Sequence, residues 1–230
     1  MPRCLAALAV TVLPLVAQAP EALLADADRH RHPWPSFRVE VRLGEGPGAQ
    51  VWRVHARENG DARVEGLSEK EKGRSVLVLG DDMWLLLPDA KRPVKVSPRQ
   101  RLMGPASGGD LARTRFREDY APAGEATRVD FEGVPALRLE LRARRASVTH
   151  AKAVLWIAAE GHRPLRADFS LASGKLARTV IFEPGTPVSG RAVIQAMRMT
   201  APDGSAAMLR FSAWSPEPVD EARFTLPKAP

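Results

Sequence analysis

From residue 36 onward, apolar and polar side chains alternate with a period of two, and no other feature of the chain restricts its fold as much. Phe37, Val39, Val41 and Leu43 alternate with Arg38, Glu40 and Arg42. Successive side chains of a strand point to opposite faces, so this segment is a strand with one wet face. Trp52, Val54 and Ala56 oppose Arg53 and His55 in the same way, and the pattern returns in Val134–Arg142, Leu165–Leu171 and Ala207–Ala213. Shorter apolar strands fit 74–79, 83–87, 92–97, 151–158, 176–182 and 192–199. Asn59-Gly60, Glu132-Gly133, Glu160-Gly161, Ser173-Gly174 and Asp203-Gly204 each separate two such runs and supply a glycine for a tight turn. Pro88–Lys91 reads as a type I turn. About ten or eleven strands joined by short turns make a large, mostly antiparallel meander. No β-α-β alternation is present, which argues against a doubly wound parallel sheet.

A sheet with one wet face must cover the other. The helix supply is small. Residues 20–30 place Leu23, Leu24 and Ala27 on one side of a short helix that Pro33 and Pro35 end, and 109–116 offers a second. The rhythm breaks over 98–124, a segment with Pro98, Pro105, Gly108 and Gly109 that reads as a loop and helix lying over one end or face of the sheet. Two short helices cover only part of such a sheet, which favours an incomplete barrel with the helices as a lid over its concave face. Aromatic residues make up only 6% of the chain, and the inner face is rich in Val, Leu, Ala and Met. Such a hollow is either filled by its own side chains or open to a flexible apolar guest, and composition leaves both readings standing.

Residues 1–19 have the pattern of a cleaved export signal: Arg3, an apolar run from Leu5 to Val16, and Ala17-Gln18-Ala19 before the expected cut. The remainder, 20–230, is expected to be one domain. Its only cysteine, Cys4, lies in the signal, so no disulfide or Cys-based zinc site is available to the mature protein. The formal charge of +7 does not point to nucleic acid in an exported protein; anionic head groups, acidic partners or plain solubility account for it.

The sequence contains no G-x-S-x-G elbow, H-E-x-x-H helix, phosphate loop or dinucleotide-binding glycine pattern, and the expectation is a protein that is not an enzyme and needs no cofactor. Asp26, Asp28, His30 and His32 are spaced by two, which points them to different sides of a helix end rather than at one metal ion. His55, His150 and His162 read as isolated surface residues, and Asp81, Asp82 and Asp119 as turn residues. Trp84 and Trp156 read as sheet anchors or, if the hollow is open, as part of its lining; alternation alone leaves Met83, Leu85 and Leu87 competing with Trp84 and Leu86 for the inner face.

Asp82–Pro88, followed by Lys91-Arg92 and Val94–Ser97, resembles the central strand, turn and basic strand of the outer-membrane lipoprotein-sorting proteins of the LolA-like superfamily. Leu102–Gly104 and Gly109–Leu111 are similar to the loop that follows in that family, and Val154–Ile157, Pro164–Ala167 and Gly174–Leu176 follow in its order. Ala158 stands where the family carries an acid. The resemblance spans nearly the whole mature chain. It implies an incomplete antiparallel barrel with helical lids, a periplasmic location, and binding of lipid or lipoprotein acyl chains by a monomer. An inner-membrane exporter would then be the donor and an outer-membrane protein the acceptor. An exported sensor or interaction module with a filled core is the alternative on the same fold. The expected cavity lining is Leu23, Leu24, Val39, Val41, Trp52, Val54, Trp84, Leu86, Met103, Leu139, Trp156, Phe169 and Leu209, with Arg99, Arg101 and Arg113 as a basic rim.

Overall fold

The computed structural model describes residues 18–90, 92–97, 114–218 and 220–227. The expected signal (apart from Gln18 and Ala19), Met103 and the three rim arginines lie outside the described residues. Helix α1 (Pro20–Arg29) opens on Pro20, a residue suited to a first turn, and buries Leu23, Leu24 and Ala27 on one side. The described strands are β1 (Ser36–Leu43), β2 (Gln50–Arg57), β3 (Ala62–Gly66), β4 (Ser75–Leu79), β5 (Asp82–Leu86) and β6 (Val94–Lys95). After the short helix α2 (Phe116–Asp119) come β7 (Tyr120–Pro122), β8 (Thr127–Phe131), β9 (Val134–Ala143), β10 (Lys152–Ala158) and β11 (Pro164–Ser170). The chain finishes with β12 (Leu176–Pro184), β13 (Ile194–Thr200), β14 (Ala206–Pro216) and a 3-10 turn over Glu221–Phe224.

All fourteen strands form one antiparallel sheet in the order β6-β5-β4-β3-β2-β1-β14-β13-β12-β11-β10-β9-β7, with β8 also on β9. The sheet does not close, so the expected incomplete barrel is the fold. Chain order is broken at two places: β1 pairs with β14 and joins the two halves of the meander, and β7 lies next to β9. Strand β9 is split at its outer edge. Its first half pairs with β8 and its last residues with β7. Glu132 and Gly133 both have positive φ, 54° and 82°, the geometry of the two-residue hairpin turn expected there.

The differences from the sequence reading are local. Strands β3, β7 and β8 had no expected range: β3 and β8 alternate over only five residues each, β8 with no buried side chain, and β7 has three residues and a proline. The expected strand over 92–97 is reduced to Val94 and Lys95, because Pro93 has no N–H to add to an edge ladder. Most of the expected 109–116 helix, residues 109–113, lies outside the described residues; among the described ones a short helix, α2, begins at Phe116.

One large hydrophobic cluster lies between the inner face of the sheet and the two helices, and it draws on nearly every strand. A smaller cluster of Ala136, Ala158 and Leu165 sits on the outer face, with Val129, Phe131 and Trp156 against it.

Candidate functional site

Register decides which side chains look inward. Across six neighbouring strands, Val39 pairs with Val54, Val54 with Val64, Val64 with Val76, Val76 with Leu85 and Leu85 with Val94. Residues paired directly across a sheet share a face, so these six form one apolar row on the inner face. The row beside it towards the β1–β2 turn carries Phe211, Val41, Trp52 and Gly66, and the row on the other side carries Phe37, Ala56, Ala62, Val78 and Met83. Phe37, Ala56, Ala62, Val78 and Met83 are all buried. Trp52, Val54, Val64, Val76 and Leu85 are only half-buried, and Val94 is exposed. The inner face is therefore sealed at one end of β2–β5 and keeps accessible hydrocarbon at the other.

The β9–β13 half is different. Leu139, Leu155, Ile157, Ala167, Phe169, Val180 and Met197 are buried there beneath α1 and α2. Phe116 fills the centre, with the Phe169, Phe182 and Tyr120 rings 6.3–6.5 Å from its own. This half is closed by the protein's own side chains.

Polar groups fasten the helices to that half. Asp28 of α1 is buried, and its carboxylate accepts the N–H groups of Phe116 and Arg117 at 2.9 Å each, which satisfies the start of α2. Burial pushes this carboxyl up to about 6, against the Arg31 cation and the two N–H donors that favour its charged form. Arg31 is buried between the rings of Phe116 and Phe182, 5.2 and 5.5 Å from their centroids, and donates to the Thr114 carbonyl at 2.6 Å. At the end of α1, His162 Nδ1 lies 2.7 Å from Asp26 and His30 Nε2 2.9 Å from the Gly161 carbonyl. At its start, Glu21 pairs with Arg144.

Of the expected lining residues, Leu23, Leu24, Val39, Val41, Trp52, Val54, Leu139, Phe169 and Leu209 share the inner side, divided between the closed half and the accessible rows. Trp84, Leu86 and Trp156 do not join them. Trp84 pairs with Leu77 and Leu86 with Ser75, on the face opposite Val76 and Leu85. Trp156 lies on the outer face between Arg138 and Arg166, whose guanidinium carbons are 5.8 and 5.2 Å from its ring. Of the competing set, Met83 and Leu85 face inward. The sequence reading missed Val64, Val76, Val94 and Phe211 and left Leu85 in competition with Trp84 and Leu86; pairing Val64 of β3 with Val76 would have fixed the parity of β5. His55 and His150 are buried rather than on the surface, His150 with its ring 5.2 Å from that of Phe169. Among the described residues no group of three or more His, Cys, Asp or Glu is placed to hold a metal ion, and no helix is long and apolar enough to cross a membrane.

A family model described as "-like: Uncharacterized protein" matches residues 66–228. A LolA superfamily protein of Nitrosomonas europaea shares the fold at a TM-score of 0.78 and 27% identity, over 91% of this chain and 98% of the other. The chain belongs to the matched family and is LolA-like. A putative outer membrane lipoprotein-sorting protein domain of Vibrio parahaemolyticus superposes on this LolA-like chain with a TM-score of 0.66 at 21% identity, over 87% of this chain and 95% of the other. No curated protein matches it.

Proposed function

We propose that this LolA-like protein is an exported, non-enzymatic carrier that holds the acyl chains of a lipid or a lipidated protein and moves them between membranes. The observation that carries this reading is the row from Val54 to Val94 with its neighbour Trp52: aligned hydrocarbon that the protein leaves half-buried or exposed on the inner side of an unclosed sheet. Each methylene of a guest buried there contributes roughly 0.8 kcal/mol. The export pattern in residues 1–19 supports a periplasmic location, and the lipoprotein-sorting description of the Vibrio domain supports the choice of cargo. A donor in the inner membrane and an acceptor in the outer membrane complete the reading, with the carrier acting as a monomer.

Binding of the apolar fluorophore Nile red to the purified protein tests it. A saturable, blue-shifted signal is expected, and Val64→Asp should weaken it about tenfold by placing a charge in the middle of the row. Native mass spectrometry of the gently purified protein should show bound lipid. A clean apo mass together with no dye uptake overturns carriage. That outcome would favour an exported interaction module, the reading to which the closed β9–β13 half corresponds.

A further inference from the structure

Beyond the end of β2–β5 where the apolar rows stay accessible, two loops enclose a cleft of about 440 Å³ lined by Lys70, Lys72, Arg74, Leu87, Pro88, Asp89 and Ala90. Its walls are built, not merely adjacent. The 67–74 loop is held by N–H donation from Glu71 to Ser68 O and from Arg74 to Glu71 O, both at 2.9 Å. The buried Glu71 carboxylate accepts from Gln50 at 2.9 Å and from Arg74 at 3.1 Å. Gly66 packs so tightly on Glu71 that a Cβ there would fall 2.1 Å from its carbonyl oxygen. Gly73, at φ +80°, lies against Pro88, so the second loop rests on the first.

The charges that line the cleft are unequal: Lys70, Lys72 and Arg74 stand against Asp89. Arg74 is paired with Glu71, and the exposed Glu69 of the same loop lies outside the lining. Lys70 and Lys72 are exposed, and among the described residues neither has an ion-pair partner. Two cations beside a short apolar wall of Leu87 and Pro88 suit a compact, strongly charged anion attached to something greasy. The cleft lies near the end of the inner row: Leu87 is two residues past Leu85, about 7 Å along the strand direction.

We infer that this cleft binds the phosphate of the ligand, with Lys70 and Lys72 as its cationic contacts and the attached acyl chain running onto the row from Leu85 to Val54. The phosphate site rests on the cleft itself, whereas the assignment of that phosphate to a lipid rests on the carrier reading above.

The test uses dihexanoyl phosphatidic acid, dihexanoylglycerol and inorganic phosphate as probes, titrated calorimetrically below any micelle threshold. Phosphatidic acid should bind at least about tenfold more tightly than dihexanoylglycerol. In Lys70→Gln/Lys72→Gln that preference should fall below about threefold, with dihexanoylglycerol affinity unchanged, and Lys70→Arg/Lys72→Arg should retain it. Equal preference in all three proteins overturns the phosphate site while leaving carriage intact. If neither acyl probe binds yet inorganic phosphate does, and the lysine substitutions abolish that binding, the site stands and the lipid assignment fails with the carrier reading. If inorganic phosphate binds as tightly as phosphatidic acid, a soluble phosphate is the ligand and the link to the acyl row is wrong.

Discussion

Asp28 and His32, four residues apart, respond to pH in opposite senses. Burial raises Asp28 from the ordinary 3.8 to about 6. Between those values the folded protein holds a proton that the unfolded chain has released, so stability falls as pH rises through that window, by on the order of 3 kcal/mol. His32 keeps part of its ring at the surface, but its Nε2 is sealed from solvent, and burial, aided by the nearby Arg31 and Arg115 cations, lowers it to about 3. From about 6.5 downward the unfolded chain takes up a proton that the folded protein refuses, so stability falls as pH drops. The two slopes oppose each other between about pH 4 and pH 6. Urea midpoints measured across pH 4–7 should therefore separate the variants: Asp28→Asn should become steadily more stable with rising pH, and His32→Gln less. Identical profiles in the two variants would remove this account. Little of it was legible in the sequence. Spacing alone sends Asp26, Asp28, His30 and His32 to different sides, whereas they face two places in pairs: Asp26 and His30 the Gly161-His162 turn, Asp28 and His32 the segment from Thr114 to Arg117, with partners as far as 88 and 136 residues away. Only the closed fold brings Phe116 and His162 to them.

At the scale of elements, the two halves of the inner face should answer truncation differently. Leu155 is fully buried on β10, so Leu155→Ala should cost about 2–5 kcal/mol through lost transfer energy and an unfilled void. Val64 on β3 is half-buried, and Val64→Ala should cost about 1 kcal/mol or less. Chemical denaturation of both variants checks the contrast; equal losses would mean that the β2–β5 half is packed as tightly as the other. Strong alternation made most strands readable, β1, β9, β11 and β14 among them. Where the signal was weak, the reason was physical. Strand β3 alternates over only five residues and is held by neighbours on both sides, and β7 and β8 are held along the edge of β9. The parity of β5 could not be read from Asp82–Pro88 alone, since both of its faces are apolar: Trp84 and Leu86 cover the outer side, Met83 and Leu85 the inner.

For the whole molecule, the open architecture followed from too little helix for so much sheet, and the short motifs around Asp82–Pro88 and Val154–Leu176 carried the superfamily resemblance. How the β4–β5 turn is tied to the other half of the sheet was not legible, because the tie, centred on Arg145, joins elements distant in the chain. Arg145, just after β9, bonds both carboxylate oxygens of Asp81 in the β4–β5 turn at 2.8 and 3.0 Å, Asp119 at the end of α2 at 2.8 Å, and the Glu118 carbonyl at 3.0 Å. Ser147 adds a bond to Asp81 at 2.8 Å. Arg145→Ala should cost about 2 kcal/mol, because it leaves the buried Asp119 without its ion-pair cation and with the Arg115 N–H as donor, whereas Asp81→Asn, at an exposed pair, should cost less than about 1 kcal/mol. Thermal melts of the two variants decide this, and equal shifts would count against the tie. Strand number and stagger set the girth of a closed barrel once and for all. Here the β4–β5 turn meets the segment after β9 through side chains, so parting them would break ionic contacts and no rung of backbone bonding. On the carrier reading proposed above, such a calliper would admit guests of unequal thickness without loss of the strands that grip them.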